Sequence, residues 1–215
     1  MRNPEKDAAE RAKKRQAFLE QGFALFSSRN IEGVSLQDVA TASGYGIATL
    51  YRYFSTKAGF AVAVAEWKWG DFFKENRRRR PGDNFEGRRA ADMFDFYLET
   101  FLELYRNNKE LLRFNQFYNI YLQAEDTDAD TLEAYRRLME PITDFFHVMY
   151  ERAKEDHSLR TEVPEEEILS TTIHLMLAAA TRYAVGLVYR PAGGFDEMKE
   201  LETLKDMLFR QYAMP

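Results

Sequence analysis

Ser35 to Phe54 reads SLQDVATASGYGIATLYRYF, and this stretch decides the fold. Ser35 is followed three residues later by Asp38, the spacing of a helix-opening capping box with Asp in place of Glu. Leu36, Val39 and Ala40 fall on one face of the short helix that follows. Ala42-Ser43-Gly44 reads as a tight turn, where glycine takes positive φ without strain. A second short helix is expected from about Gly46 to Tyr53. Two short helices joined by a glycine turn form a helix-turn-helix. Leu50 anchors the second helix inward, against the first and against Phe23 and Phe26. Ile47, Ala48, Thr49, Tyr51, Arg52 and Tyr53 are then left on the outer face or its margins. Such a face, with phenols and an arginine at its end, suits a major groove flanked by phosphates.

Working outward, almost every segment has helical spacing, and strand-like alternation is missing. A first helix is expected over about 8–28, ended by Asn30 and Gly33. Ser55 or Thr56 starts a long helix reaching about Arg80, before Pro81-Gly82-Asp83-Asn84. Further helices are expected over 88–107, 109–124, 131–156, 164–190 and 195–212. Leu138, Ile142, Phe145 and Met149 form a stripe on the third of these. Pro141 inside it is expected to kink or restart the helix, since proline lacks a donor and crowds the preceding turn. Pro164 with Glu165, Glu166 and Glu167 suits a helix start, with acids against the positive dipole end. The reading is an all-α chain of about nine helices. A three-helix DNA-binding domain over 1–57 precedes a larger helical effector-binding and dimerisation domain over 58–215.

Composition narrows the function. Of 215 residues, 45% are hydrophobic and 30% charged, as in a folded soluble domain. No uninterrupted apolar run approaches the ~18 residues that span a bilayer. The opening MRNPEKDAAERAKKRQ lacks the apolar stretch of a secretory signal. There is no cysteine, so disulfides and thiolate metal sites are excluded and a reducing cytoplasm is expected. The net charge of −5 argues against a chain-wide nucleic-acid footprint. Residues 1–57 nevertheless carry nine Lys/Arg against six Asp/Glu, a net of +3, on an otherwise acidic chain. That confines phosphate attraction to one end. His147, His157 and His174 have no metal-ligand spacing, and no phosphate loop or nucleophile elbow occurs. Neither an enzyme, a metal site nor a cofactor is therefore expected.

Residues 23–60, FALFSSRNIEGVSLQDVATASGYGIATLYRYFSTKAGF, closely resemble the tetracycline-repressor (TetR) family of transcriptional regulators. The matching features are Leu25-Phe26, Ser35-Leu36, Val39-Ala40, Thr49-Leu50-Tyr51-Arg52-Tyr53-Phe54 and Lys57. Residues 159–167, LRTEVPEEE, resemble the usual lead into the family's dimerisation helix. The resemblance implies that Thr49, Tyr51, Tyr53 and Lys57 hold phosphates or lie against the DNA backbone. It implies that Gln37, Ile47 and Ala48 meet base edges, and that Arg52 serves in either role. Ser35 and Gly46 complete the candidate DNA-binding set. Gly46-Ile47-Ala48 departs from the family's usual Ser/Lys-Gly pattern, losing a polar reader. Ile47 offers thymine methyls an apolar contact instead.

The resemblance further implies a homodimer on an inverted-repeat duplex DNA operator, with recognition helices about 34–36 Å apart or somewhat more. It places dimerisation in 164–190 and 195–213. The first of these segments is apolar around too much of its circumference for one face of a surface helix. That pattern alone also fits a helix buried within one subunit. A small-molecule effector is expected among the middle helices, whose aromatic density permits a lined pocket. The candidates are Trp67, Tyr97, Phe101, Phe114, Phe117, Tyr118, Tyr121, Phe145, Met149 and His174; plain core packing explains each of them too. A repressor released by its ligand is the expected activity. The alternatives are a helical transcription factor without a small ligand, and a helical scaffold that does not bind DNA. Two basic runs stay open: Arg11 to Arg15, on phosphates or solvated, and Arg77 to Arg80, read as cations complementing a helix C-terminus.

Overall fold

The computed structural model describes residues 4–80, 85–124, 129–186 and 191–214. Among them are nine helices: α1 (Pro4–Arg29), α2 (Leu36–Ser43), α3 (Ile47–Tyr53), α4 (Lys57–Arg78), α5 (Ala90–Asn107), α6 (Lys109–Ala124), α7 (Ala129–Asp156), α8 (Glu165–Val185) and α9 (Glu197–Tyr212). The all-α expectation is met. Among the described residues the nearest approach to a strand is an isolated antiparallel bridge between Leu159 and Ala213. The joints at 81–84 and 125–128, and the expected end of the eighth helix at 187–190, lie outside the described residues.

Two compact units are present: residues 1–71 with 113–138, and residues 72–112 with 139–215. In the first, α1, α2 and α3 pack on one another. The core of this unit is largely aromatic: Phe18, Phe26 and Phe60 of α4 are fully buried with Leu50. Burial of such large apolar side chains is the main source of stability here, roughly 1.5–3 kcal/mol apiece.

In the second unit, α5 packs with α8 and α9, and α8 with α9. Phe94 stacks on Phe209 at 6.3 Å and meets Phe146 edge-on at 6.4 Å. The end of α7 also holds the start of α5. Asp156 accepts from the Ala90 amide (2.7 Å), Ser158 accepts from the Ala91 amide (2.9 Å), and Arg152 donates to the Phe85 carbonyl (2.7 Å). The first two contacts satisfy amides that the first turn of a helix leaves unpaired.

One expectation, the core stripe of α7, is corrected. α7 runs through Pro141 without restarting. Its fully buried positions near there are Phe146, Met149 and Ala153, with Tyr150 close behind. Leu138, Ile142 and Phe145 are only half-buried, so the core stripe is rotated from the expected one. α8 is long and apolar enough, by length and composition alone, to cross a membrane, with a mean hydropathy of 1.2. The expectation concerned an uninterrupted run, and it stands. In α8, Ser170, Thr171, Thr172 and His174 interrupt the apolar positions, yet the average stays high.

Candidate nucleic-acid interface

The helix pair is built as its residues dictate. Ser35 Oγ accepts from the Asp38 amide (3.1 Å), and Asp38 Oδ2 accepts from the Ser35 amide (2.8 Å) and hydroxyl (2.7 Å). These bonds, the Ser35 hydroxyl first, hold the Asp38 carboxyl below its usual range. Leu36, Val39 and Ala40 are buried. Gly44 closes α2 at φ 74°, and its amide reaches the Ala40 and Thr41 carbonyls. α3 follows with Gly46 at its cap position and no side-chain cap, as the sequence implies.

Only Leu50 of α3 is fully buried. Ala48, Tyr51 and Arg52 are exposed, and Ile47 and Thr49 are half-buried. Tyr51 is 52% exposed, an uncommon setting for a large aromatic side chain in the absence of a partner. Arg52 donates to Thr49 Oγ1 at 3.4 Å. Tyr53 points the other way. Its hydroxyl donates to the Arg11 carbonyl (3.3 Å), and its ring meets Phe18 (6.1 Å) and Phe54 (6.2 Å). The role visible for Tyr53 is therefore to join α3 to α1.

An open groove of about 710 Å³ collects five of the ten candidate DNA-binding residues: Ser35, Gln37, Ile47, Tyr51 and Lys57. Gly46, Ala48, Thr49, Arg52 and Tyr53 are outside its lining. Gln37 donates to Thr41 Oγ1 at 3.3 Å. Lys57 donates to the Glu32 carbonyl at 3.3 Å and stands 5.5 Å over the Tyr121 ring. The sequence reading missed Glu32, Asp38, Ser55 and Thr56 on the same groove. Thr56 shows its local role: its hydroxyl accepts from the Gly59 amide, so it caps α4.

The basic start of α1 lies beside α3. Lys14 stands 5.9 Å over Tyr45, and Arg15 lies 5.5 Å over Phe54. Together with the Arg11–Tyr53 bond, this puts three basic residues along the margin of the helix pair. Their alternation with α1's inward face was the signal available in the sequence.

The ten effector candidates divide five and five between the units. In the first, Phe114 stacks on Tyr118 (5.7 Å) and leans on Phe23 (5.6 Å), Trp67 meets Phe23 edge-on (6.4 Å), Tyr121 lies under Lys57, and Phe117 is half-buried. In the second, Tyr97 meets Phe101 (5.3 Å) and Phe146 (5.4 Å), Met149 is buried, and His174 is exposed on α8. Phe145 alone of these lines a groove of about 250 Å³, with Arg77, Arg80, Met93, Pro141, Asp144 and Val148. Arg80 is half-buried 4.4 Å over the Phe145 ring, and its pKa is lowered by burial and then by Arg77. Arg77, Arg78 and Arg79 are exposed, whereas the Arg80 guanidinium stacks on the Phe145 ring.

Residues 18–64 match the sequence model of the bacterial regulatory proteins of the tetR family. Comparison with curated proteins gives no match. Among solved structures, a tetR-family regulatory protein from Rhodococcus RHA1 superposes with TM-score 0.72 at 10% identity, over 94% of this chain and 98% of that one. A putative TetR-family regulator from Vibrio parahaemolyticus gives 0.66 at 15%, over 94% and 100%. The regulator FadR from Bacillus subtilis, in complex with stearoyl-CoA, gives 0.70 at 10%, over 90% and 97%. Residues 18–64 are thus a tetR-family N-terminal domain, and the whole chain has the fold of TetR-family transcriptional regulators.

Proposed function

We propose that this chain is a sequence-specific DNA-binding regulator, acting in the cytoplasm as a homodimer on an inverted-repeat operator. The observation that carries the reading is the exposure of Ala48, Tyr51 and Arg52 on the second helix of a helix pair whose sequence matches the tetR domain. Lys57 and Gln37 would add phosphate and base contacts on either side, and Ile47 would meet thymine methyls. No step of bond-making is assigned to these residues; the site binds and does not catalyse.

Two features support the finer parts. Leu175 and Val185 on α8 and Met207 on α9 are 46%, 47% and 63% exposed, an apolar face suited to a second copy. The groove around Arg77, Arg80 and Phe145 suits a small molecule with an anionic group and an apolar body, with Asp144 setting a limit on its charge. A ligand that prefers one arrangement of the dimer would change operator affinity by that preference alone, which makes release of a repressor the proposed response. FadR from Bacillus subtilis, solved with stearoyl-CoA, has the same fold and is consistent with such a ligand.

Selection of bound sites from random duplex DNA tests the reading. Twofold-related half-sites about one helical turn apart are expected. Recovery of no enriched sequence would refute it.

A further inference from the structure

His147 and Glu151 lie one turn apart on α7, and Glu165 opens α8. Glu165 Oε2 and Oε1 are 3.0 and 3.2 Å from His147 Nδ1. One ligand atom from each of the three residues falls within 4.8 Å of the others. The placement is fixed by backbone contacts and not by the side chains alone. Tyr150, on the same stretch of α7, donates its hydroxyl to the Thr161 carbonyl (3.0 Å) and the Val163 carbonyl (2.7 Å). Those bonds bring the residues leading into α8 against α7, and so present Glu165 to His147.

We propose that His147, Glu151 and Glu165 bind a divalent transition-metal ion of the zinc class. Zinc takes imidazole nitrogen and carboxylate oxygen at about 2.0–2.2 Å, which puts neighbouring ligand atoms about 3.0–3.5 Å apart. The His147–Glu165 pair already has that separation, and Glu151 closes the remaining distance by a side-chain rotation. A neutral imidazole with two carboxylates balances the charge of a divalent ion and leaves coordination positions for water. The nearest competitor is Lys154, whose Nζ lies 2.5 Å from Glu151. That pair is half-exposed, and exposed ion pairs are worth little, so it yields to a divalent ion. The bound metal would fasten α7 to the first turn of α8. This inference stands independently of the DNA-binding reading.

The test is calorimetric titration of zinc chloride into the full-length, chelator-stripped protein. One equivalent per chain is expected. His147→Ala and Glu165→Gln should each weaken binding by at least about tenfold, and Lys154→Gln should tighten it. All three residues reach the surface, so circular dichroism of each variant should match the parent. Cobalt absorption gives a second readout, with the band lost in His147→Ala. The proposal is overturned if zinc does not bind, if His147→Ala leaves binding unchanged, or if His157→Ala or His174→Ala removes it instead. His147 and Glu165 would then be an ion pair only.

Discussion

Gly22 of α1 lies so close to Phe60 of α4 that a β-carbon at position 22 would come within 2.4 Å of Phe60 Cζ. Phe60 cannot retreat: it is fully buried, 4.8 Å from the Phe54 ring and 5.7 Å from Phe26. Phe54 follows α3, so this approach supports the helix that presents Tyr51. Gly22→Ala gains about 1 kcal/mol of helix propensity, but overpacking a core costs about 1–3 kcal/mol. Because the ring is held between Phe54 and Phe26, net destabilisation on the order of 1–2 kcal/mol is expected in urea unfolding. Equal or greater stability would contradict the packing described.

Asp156 makes acid stability measurable. Burial by itself would raise its pKa, but hydrogen bonds from Ser158 and the Ala90 amide outweigh burial and lower it. A lowered folded-state pKa adds stability above the unfolded value of about 3.9, and that stability is lost as pH falls through the folded value. Asp156→Ala should cost about 1 kcal/mol at pH 7 through loss of the α5 cap. The gap between variant and parent should narrow below about pH 4. A gap constant from pH 7 to pH 3 would show that the carboxylate charge is irrelevant.

The Tyr97 hydroxyl is buried with no hydrogen-bond partner among the described residues, and burial drives its pKa upward. Removing an unsatisfied polar atom without changing shape is close to neutral or favourable. Tyr97→Phe should therefore leave thermal stability unchanged or raise it by up to about 1 kcal/mol. A clear loss of stability would mean that the hydroxyl is satisfied in solution.

Most of the fold was legible in the sequence because its helices announce their own ends. The Ser35–Asp38 box, the αL glycine at 44 and the Thr56 cap are local chemistry, and each forms where its residues predict. Face assignment was harder. On α7, Phe145 and Phe146 are adjacent and alike, and only the packing of Phe146 on Phe94 and Tyr97 says which turns inward. Tyr51 and Tyr53 were equally ambiguous: their spacing on α3 cannot reveal that the Arg11 carbonyl, 42 residues upstream, accepts from Tyr53. His147 shows no metal-ligand spacing in the sequence, because its partner Glu165 belongs to a different helix that spacing cannot bring near.

The two tyrosines of α3 should separate on substitution. Tyr53→Phe loses one hydrogen bond to α1 and should cost about 0.5–1 kcal/mol of stability. Tyr51→Ala removes an exposed side chain and should change stability by no more than about 0.5 kcal/mol. Its effect should fall on DNA affinity, weakened about tenfold in electrophoretic mobility shift. The reverse pattern would place the outer face of α3 elsewhere.

The most direct measurement is fluorescence anisotropy of a labelled, selected inverted-repeat duplex, titrated with protein from about 50 to about 200 mM salt. A steep linear fall of log affinity with log salt is predicted, with Lys57→Ala reducing the slope by about one. Absence of binding at about 50 mM salt, or binding that Tyr51→Ala, Arg52→Ala and Lys57→Ala all leave unchanged, would contradict a DNA-binding surface at residues 35–57.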